Sequence, residues 1–145
     1  MIARTLAALA LTATPALADY VRVDAEGTVP EVMDRLEAAV TEAGATVFAR
    51  VDHAEGASSV DMELPPSQLL IFGNPMLGTP AMQADLAAGI ALPMKVLVIQ
   101  EGEQVVILDE EVTSMFDDFN VPADAEYVGK MEGALDTLTG AAATP

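Results

Sequence analysis

Cysteine is absent from this 145-residue chain, which removes thiolate nucleophiles, C-x-x-C redox chemistry and cysteine-ligated zinc or iron–sulfur centres. Histidine is nearly absent as well. His53 stands alone, too little nitrogen for an ordinary zinc site. Basic residues number six against twenty-three acids, a formal net charge of −17. A surface of that sign repels phosphate backbones and anionic lipid headgroups, so nucleic acid is excluded as a partner. The acids keep such a chain dissolved, and cations are the partners its field favours. No apolar run approaches the roughly 20 residues of a membrane-spanning helix, so no membrane insertion is expected once the N-terminal leader is removed. The missing disulfides are no handicap, because a chain above roughly 100 residues buries enough surface for one core.

Residues 1–18 have the pattern of that leader. Arg4 is the only early charge, Leu6 to Thr12 is a short apolar run, and Ala16-Leu17-Ala18 is a small-x-small site ahead of Asp19. This order predicts a cleaved signal peptide and a periplasmic or secreted protein. The remaining chain holds five basic residues, Arg22, Arg35, Arg50, Lys95 and Lys130.

Periodicity then predicts the elements. Tyr20 to Asp24 alternates, with Val21 and Val23 on one face of a first strand. Pro30 opens a helix carrying Val32, Leu36, Ala39 and Val40 at helical spacing, and Gly44 stops it. Thr46 to Val51 alternates again, and Asp52 to Glu63 is a polar, alanine-rich loop with a short helical turn. Leu69-Leu70-Ile71-Phe72 suits a strand buried on both faces, its start fixed by Pro65-Pro66. Asn74-Pro75 and Thr79-Pro80 each pair an N-cap with a first-turn proline, and Met82, Leu86 and Ile90 share one face of the helix that follows. Met94 to Ile99 and Gln104 to Leu108 form a hairpin across Glu101-Gly102-Glu103. Val112, Met115, Phe116 and Phe119 make one helical stripe, ended by Pro122. Asp124 caps a last helix with Tyr127, Met131, Leu135 and Leu138 inward, and the alanine-rich end beyond Gly140 frays. The order strand, helix, strand, strand, helix, strand, strand, helix predicts an α+β domain: a small, largely antiparallel sheet with helices packed on one side.

Between Thr46 and Ile99 four pieces occur in fixed order: F-A-R-V-D-H at a strand end, then L-L-I-F-G-N-P, G-T-P-A-M-Q and L-P-M-K-V-L-V. In these pieces the chain resembles the domain-of-unknown-function 302 family, and more loosely so from Tyr20 to Val112. The resemblance implies a small α+β sheet that often pairs into homodimers. It implies no activity, because none is established for the family. Members commonly continue Y-N-D-P after the final strand, where this chain has Asp109-Glu110-Glu111 and two further helical segments. The expected organisation is a signal peptide over 1–18, the family-like domain over 19–112, and a C-terminal helical extension over 113–145 packed on it.

Arg50, Asp52, His53 and Asn74 are the candidate ligand-binding residues. If the V-D-H and G-N-P strand ends lie side by side, these residues meet in one cleft, where sheet loops carry sites. His53 beside Asp52 then serves a small-molecule ligand as a hydrogen-bonding group, or an enzyme as half of an acid–base pair. The plain structural alternative has Asp52 capping a turn, His53 satisfying a loop carbonyl and Asn74 capping a helix. Ser58 and Ser59 lie near His53 in sequence, but Gly56-Ala57-Ser58-Ser59 is no G-x-S-x-G elbow. The acidic runs at 109–111 and 117–118 lack the D-x-[DN]-x-[DN]-G spacing of a calcium loop and read as a solvated helix face. No phosphate-loop pattern is present. No cofactor and no metal are expected, and no catalytic residue is assigned. Met62, Met76, Met82 and Met94 cluster about the motif block as core filler or as the lining of an adaptable pocket. The resulting expectation is an exported small-ligand-binding or interaction module, paired as a homodimer, with an enzyme built on His53 and Asp52 as the alternative.

Overall fold

The computed structural model describes residues 19–145, so the expected signal peptide over 1–18 lies outside the described residues. Alternating, β-branched segments form five strands: β1 (Tyr20–Ala25), β2 (Thr46–Asp52), β3 (Ser67–Gly73), β4 (Met94–Glu101) and β5 (Gln104–Glu110). Every neighbouring pair is antiparallel, and the order across the sheet is β1-β5-β4-β3-β2. The β4–β5 hairpin turns at Gly102, whose φ of 60° suits a residue without a Cβ. The helices are α1 (Val29–Glu42), α2 (His53–Ser58), α3 (Pro75–Ala84), α4 (Val112–Met115) and α5 (Glu126–Ala143), with a 3₁₀ turn over Leu86–Ile90. This is the expected α+β architecture.

Two helices build most of the core. The start of α1 is fixed by Glu31, whose carboxylate accepts from the Thr28 N–H at 2.8 Å and the Thr28 hydroxyl at 2.9 Å. Its buried stripe of Val29, Val32, Met33, Leu36 and Val40 packs over β2, β3 and β4. Alongside it, α5 buries Val128, Met131, Leu135 and Leu138 against α1, β1 and β5. From the sheet, Leu70, Phe72, Val96, Val98, Val105 and Ile107 face these helices and are buried.

Several expectations need correction. The β3 run is buried on one face only: Leu70 and Phe72 are inside, while Leu69 and Ile71 stay half-buried on the other face. An antiparallel sheet needs helices on one side alone, and a continuous apolar run does not prove two. The two proline starts belong to a single helix, α3, which continues through Pro80. It ends at Asp85, whose extended backbone and side chain restart the chain as the 3₁₀ turn, with the Asp85 carboxylate accepting from the Ala87 N–H at 3.0 Å. That break swings Leu86 and Ile90 outward, where they are 83% and 84% exposed rather than facing in with Met82. Asp124 does not cap α5. It falls inside the turn closed by the Ala125 N–H on the Pro122 carbonyl, and Ala125 holds the cap position. Nor does the alanine-rich end fray: the Ala142 carbonyl accepts from Arg35 Nε at 2.9 Å and the Ala143 carbonyl from the Glu26 N–H at 2.8 Å. A guanidinium at a helix C-terminus satisfies its orphan carbonyls and its dipole together. Asp109, read as part of a solvated acidic run, is buried at the end of β5.

Candidate functional site

The register of the sheet decides which candidates can meet. Asp52 pairs with Gln68 and Thr46 pairs with Gly73, so β2 ends where β3 begins. The V-D-H and G-N-P segments therefore lie at opposite ends of one strand pair, about 20 Å apart at the usual rise per residue. The expected single cleft holding His53 and Asn74 does not form.

Arg50 and Asp52 do come together, through a residue that the sequence reading passed over. Arg50 Nε and Nη2 donate to Gln68 Oε1 at 3.0 and 2.7 Å, and Gln68 Nε2 donates to Asp52 Oδ2 at 2.8 Å. Arg50 also pairs with Asp34, and with Glu37 at 3.3 Å, both on α1. This cluster ties β2 and β3 to α1. Asp52 Oδ1 takes the Glu55 N–H at 2.9 Å and caps α2. That bond first, then the Gln68 amide, holds the Asp52 carboxyl below its usual range. Both Asp52 oxygens are thus engaged by Glu55 and Gln68, and neither is directed at His53. Ser58 and Ser59 are equally committed, donating to the Ala54 and Gly56 carbonyls at 3.0 and 2.6 Å. No nucleophile–base pair is assembled around His53. Among the described residues no three of histidine, aspartate and glutamate gather closely enough to hold a metal ion.

Asn74 sits in different surroundings. Its side chain accepts from the Met76 N–H at 2.9 Å and caps α3. It also lines an apolar cavity of about 360 Å³ at the end of the sheet where β2 starts and β3 stops. Phe48, Phe72, Leu77, Met82, Leu92 and Leu138 form its walls, with Thr79 as a further polar group. Phe48 reaches this cavity because a bulge between Val47 and Ala49 leaves it out of the ladder, 58% exposed. The glycines of the two turn motifs leave room there. A Cβ on Gly73 would come within 3.4 Å of the Phe48 ring, and one on Gly78 within 3.5 Å of Leu92 Cδ1. Of the motif methionines, Met82 and Met94 line the cavity, whereas Met62 and Met76 are exposed.

Three residues were not among the expected site residues: Phe48, Gln68 and Asp109, the last read as part of a solvated acidic run. Gln68 and Asp109 share the inward parity of Leu70 and Ile107, so a polar residue at an apolar position was the available signal. A bulge at Phe48 leaves no such trace in periodicity.

Comparisons with known proteins bear on the family and the fold. A family model, "Domain of unknown function DUF302", matches residues 21–138 and so runs on into α5. Two relatives, fluoride-specific ion channel FluC 1 of Brucella suis biovar 1 (strain 1330) and of Brucella abortus biovar 1 (strain 9-941), are each 40% identical over 82 residues, 57% of this chain. The match covers 32% and 30% of those proteins, so the chain spans about a third of their length. The crystal structure of an uncharacterized conserved protein DUF302 from Bacillus stearothermophilus superimposes with a TM-score of 0.77, covering 85% of this chain and 97% of that one. At 23% identity this likeness is one of fold.

Proposed function

The chain belongs to the family of domain of unknown function DUF302, and from that premise we propose that it is a binding module for a small apolar ligand held in the Phe48 cavity. The observation that carries this reading is the cavity itself, with about 360 Å³ of room and walls apolar except at Asn74 and Thr79. Small-molecule sites have this make-up: an apolar body with a few polar groups to fix orientation. Met82 and Met94 add walls that adapt to ligand shape. Asn74 keeps a place among the ligand-binding residues on this reading, its amide nitrogen at the polar edge. Arg50, Asp52 and His53 act as scaffold at the far end of the sheet.

The channel activity named for the Brucella relatives forms no part of the proposal. No described helix is long and apolar enough to cross a membrane, and an apolar cavity is a poor host for a strongly hydrated anion.

The test uses a neutral apolar dye such as N-phenyl-1-naphthylamine. Its fluorescence should rise saturably with the protein, and linear alcohols should displace it. Phe48→Ala should weaken the dye by roughly fivefold or more, because the ring supplies about 1 kcal/mol of apolar contact. Phe48 is 58% exposed, so its loss should leave the unfolding midpoint nearly unchanged. Non-saturable fluorescence, or equal affinity in the Phe48→Ala chain, would sink the reading.

A further inference from the structure

A second cavity lies on the other side of Met94, and it contains a carboxylate with nothing to pair with. It encloses about 420 Å³ where the ends of β4 and β5 part. Tyr20, Lys95 and Leu97 line it from the open side of the sheet, and Asp109, Met115 and Leu135 from the helix side. Asp109 is 4% exposed, and its Oδ1 is buried without a hydrogen-bond partner among the described residues. Buried carboxylates are normally paired or hydrogen-bonded, and an orphan one asks for an explanation.

The chain's own cations do not supply it. Arg22 is joined to Glu101 at 2.6 Å, Arg50 to Asp34 and Glu37, and Lys130 to Glu126 at 2.6 Å. Arg35 donates to the Ala142 and Glu26 carbonyls. Lys95 borders the cavity, but its ammonium is turned to the Ala91 and Pro93 carbonyls at 3.0 and 3.4 Å. All five cations of the described residues are therefore committed elsewhere. Further acids surround the site: Glu110 lines it and Asp136 on α5 lies close enough to act on Asp109. A metal ion would find few ligands here, because apart from Asp109 and Glu110 the walls are methionine, leucine, Tyr20 and the cationic Lys95.

We propose that this cavity binds a small organic ammonium ion, its charged head on Asp109 and its apolar body against Met115 and Leu135 on the helix side. Such a ligand meets both properties of the space, an unpaired buried anion and apolar walls. The negative field of a chain with net charge −17 draws cations toward it. The inference is independent of the Phe48 cavity, which has no charged side chain in its lining.

The probe is n-butylammonium, titrated against the full chain by calorimetry and NMR at about pH 7.5, with n-butanol and butyrate as controls of the same length. Butylammonium should saturate and shift the Met115 methyl resonance, while butanol binds at least tenfold more weakly and butyrate not at all. Asp109→Asn, with its fold checked by circular dichroism, should lose roughly tenfold to a hundredfold in affinity, as expected for one charge-assisted hydrogen bond. The unaltered chain gives a second reading free of any folding question: affinity should fall as pH drops to about 5 and Asp109 takes up a proton. Equal binding of butanol and butylammonium, affinity independent of both pH and the Asn substitution, or no saturable binding would each overturn the proposal.

Discussion

Leu70→Ala should lower the free energy of unfolding by about 3–5 kcal/mol, while Ile71→Ala, one residue along, should cost only about 1–2 kcal/mol. Leu70 is fully buried between β2 and β4, against α1, so its truncation opens a cavity that packed neighbours cannot close. Ile71 points to the face opposite α1 and is half-buried there, so less contact is lost. Urea unfolding of the two variants, with slopes compared to the parent, measures both effects. Equal losses would mean that both faces of the sheet are covered in solution and that the one-sided fold is wrong.

That contrast marks what periodicity can and cannot tell. The run Leu69 to Phe72 announced a strand correctly, because four apolar residues between Pro66 and Gly73 allow little else. It could not announce how many faces are covered, because a half-buried leucine and a buried one look the same in sequence. The same blindness misplaced Leu86 and Ile90. Their spacing from Met82 is helical, yet the Asp85 side chain stops α3 and turns them to solvent. Helix-capping chemistry was more legible. Asn74 and Asp52 cap as their residue types suggest, since the cap is a local bond across two or three residues. The candidate site was half legible for a reason of distance. Arg50 and Asp52 sit two apart on one strand and so share a face, although the Gln68 that joins them is set beside them by the β2–β3 register. Whether His53 meets Asn74 depends on pairing direction, and the antiparallel register of β2 with β3 sends them to opposite ends. Pairing direction is a tertiary property that neither motif encodes.

Stability should also fall as pH rises from about 4 to about 6, and Asp109 should be the cause. Burial first, and then the Asp136 carboxylate, push the Asp109 carboxyl from its ordinary 3.8 up to about 6. Between those two values the folded chain keeps a proton that the unfolded chain has released, so raising the pH favours unfolding. The group adds no penalty below its unfolded pKa and its full penalty above about pH 6, at most about 3 kcal/mol for a shift of this size. Lys95, Glu110 and Tyr20 line the same cavity, and only Lys95 among them carries a charge that opposes the effect. Glu31, Asp52, Asp85, Glu101 and Glu126 behave oppositely. Hydrogen bonds hold them below their ordinary values, so their contribution is lost only in more acidic solution. Urea unfolding at about pH 5 and about pH 7.5, for the parent and for Asp109→Asn, isolates the one group. Everything common to the two chains cancels in the difference, including the general repulsion among so many carboxylates. The parent should lose about 1.4 kcal/mol more than the Asn chain across that interval, because only the step from about pH 5 to the folded value of about 6 falls inside it. Parallel pH profiles would mean that Asp109 finds a partner in solution and that its carboxylate is not an orphan.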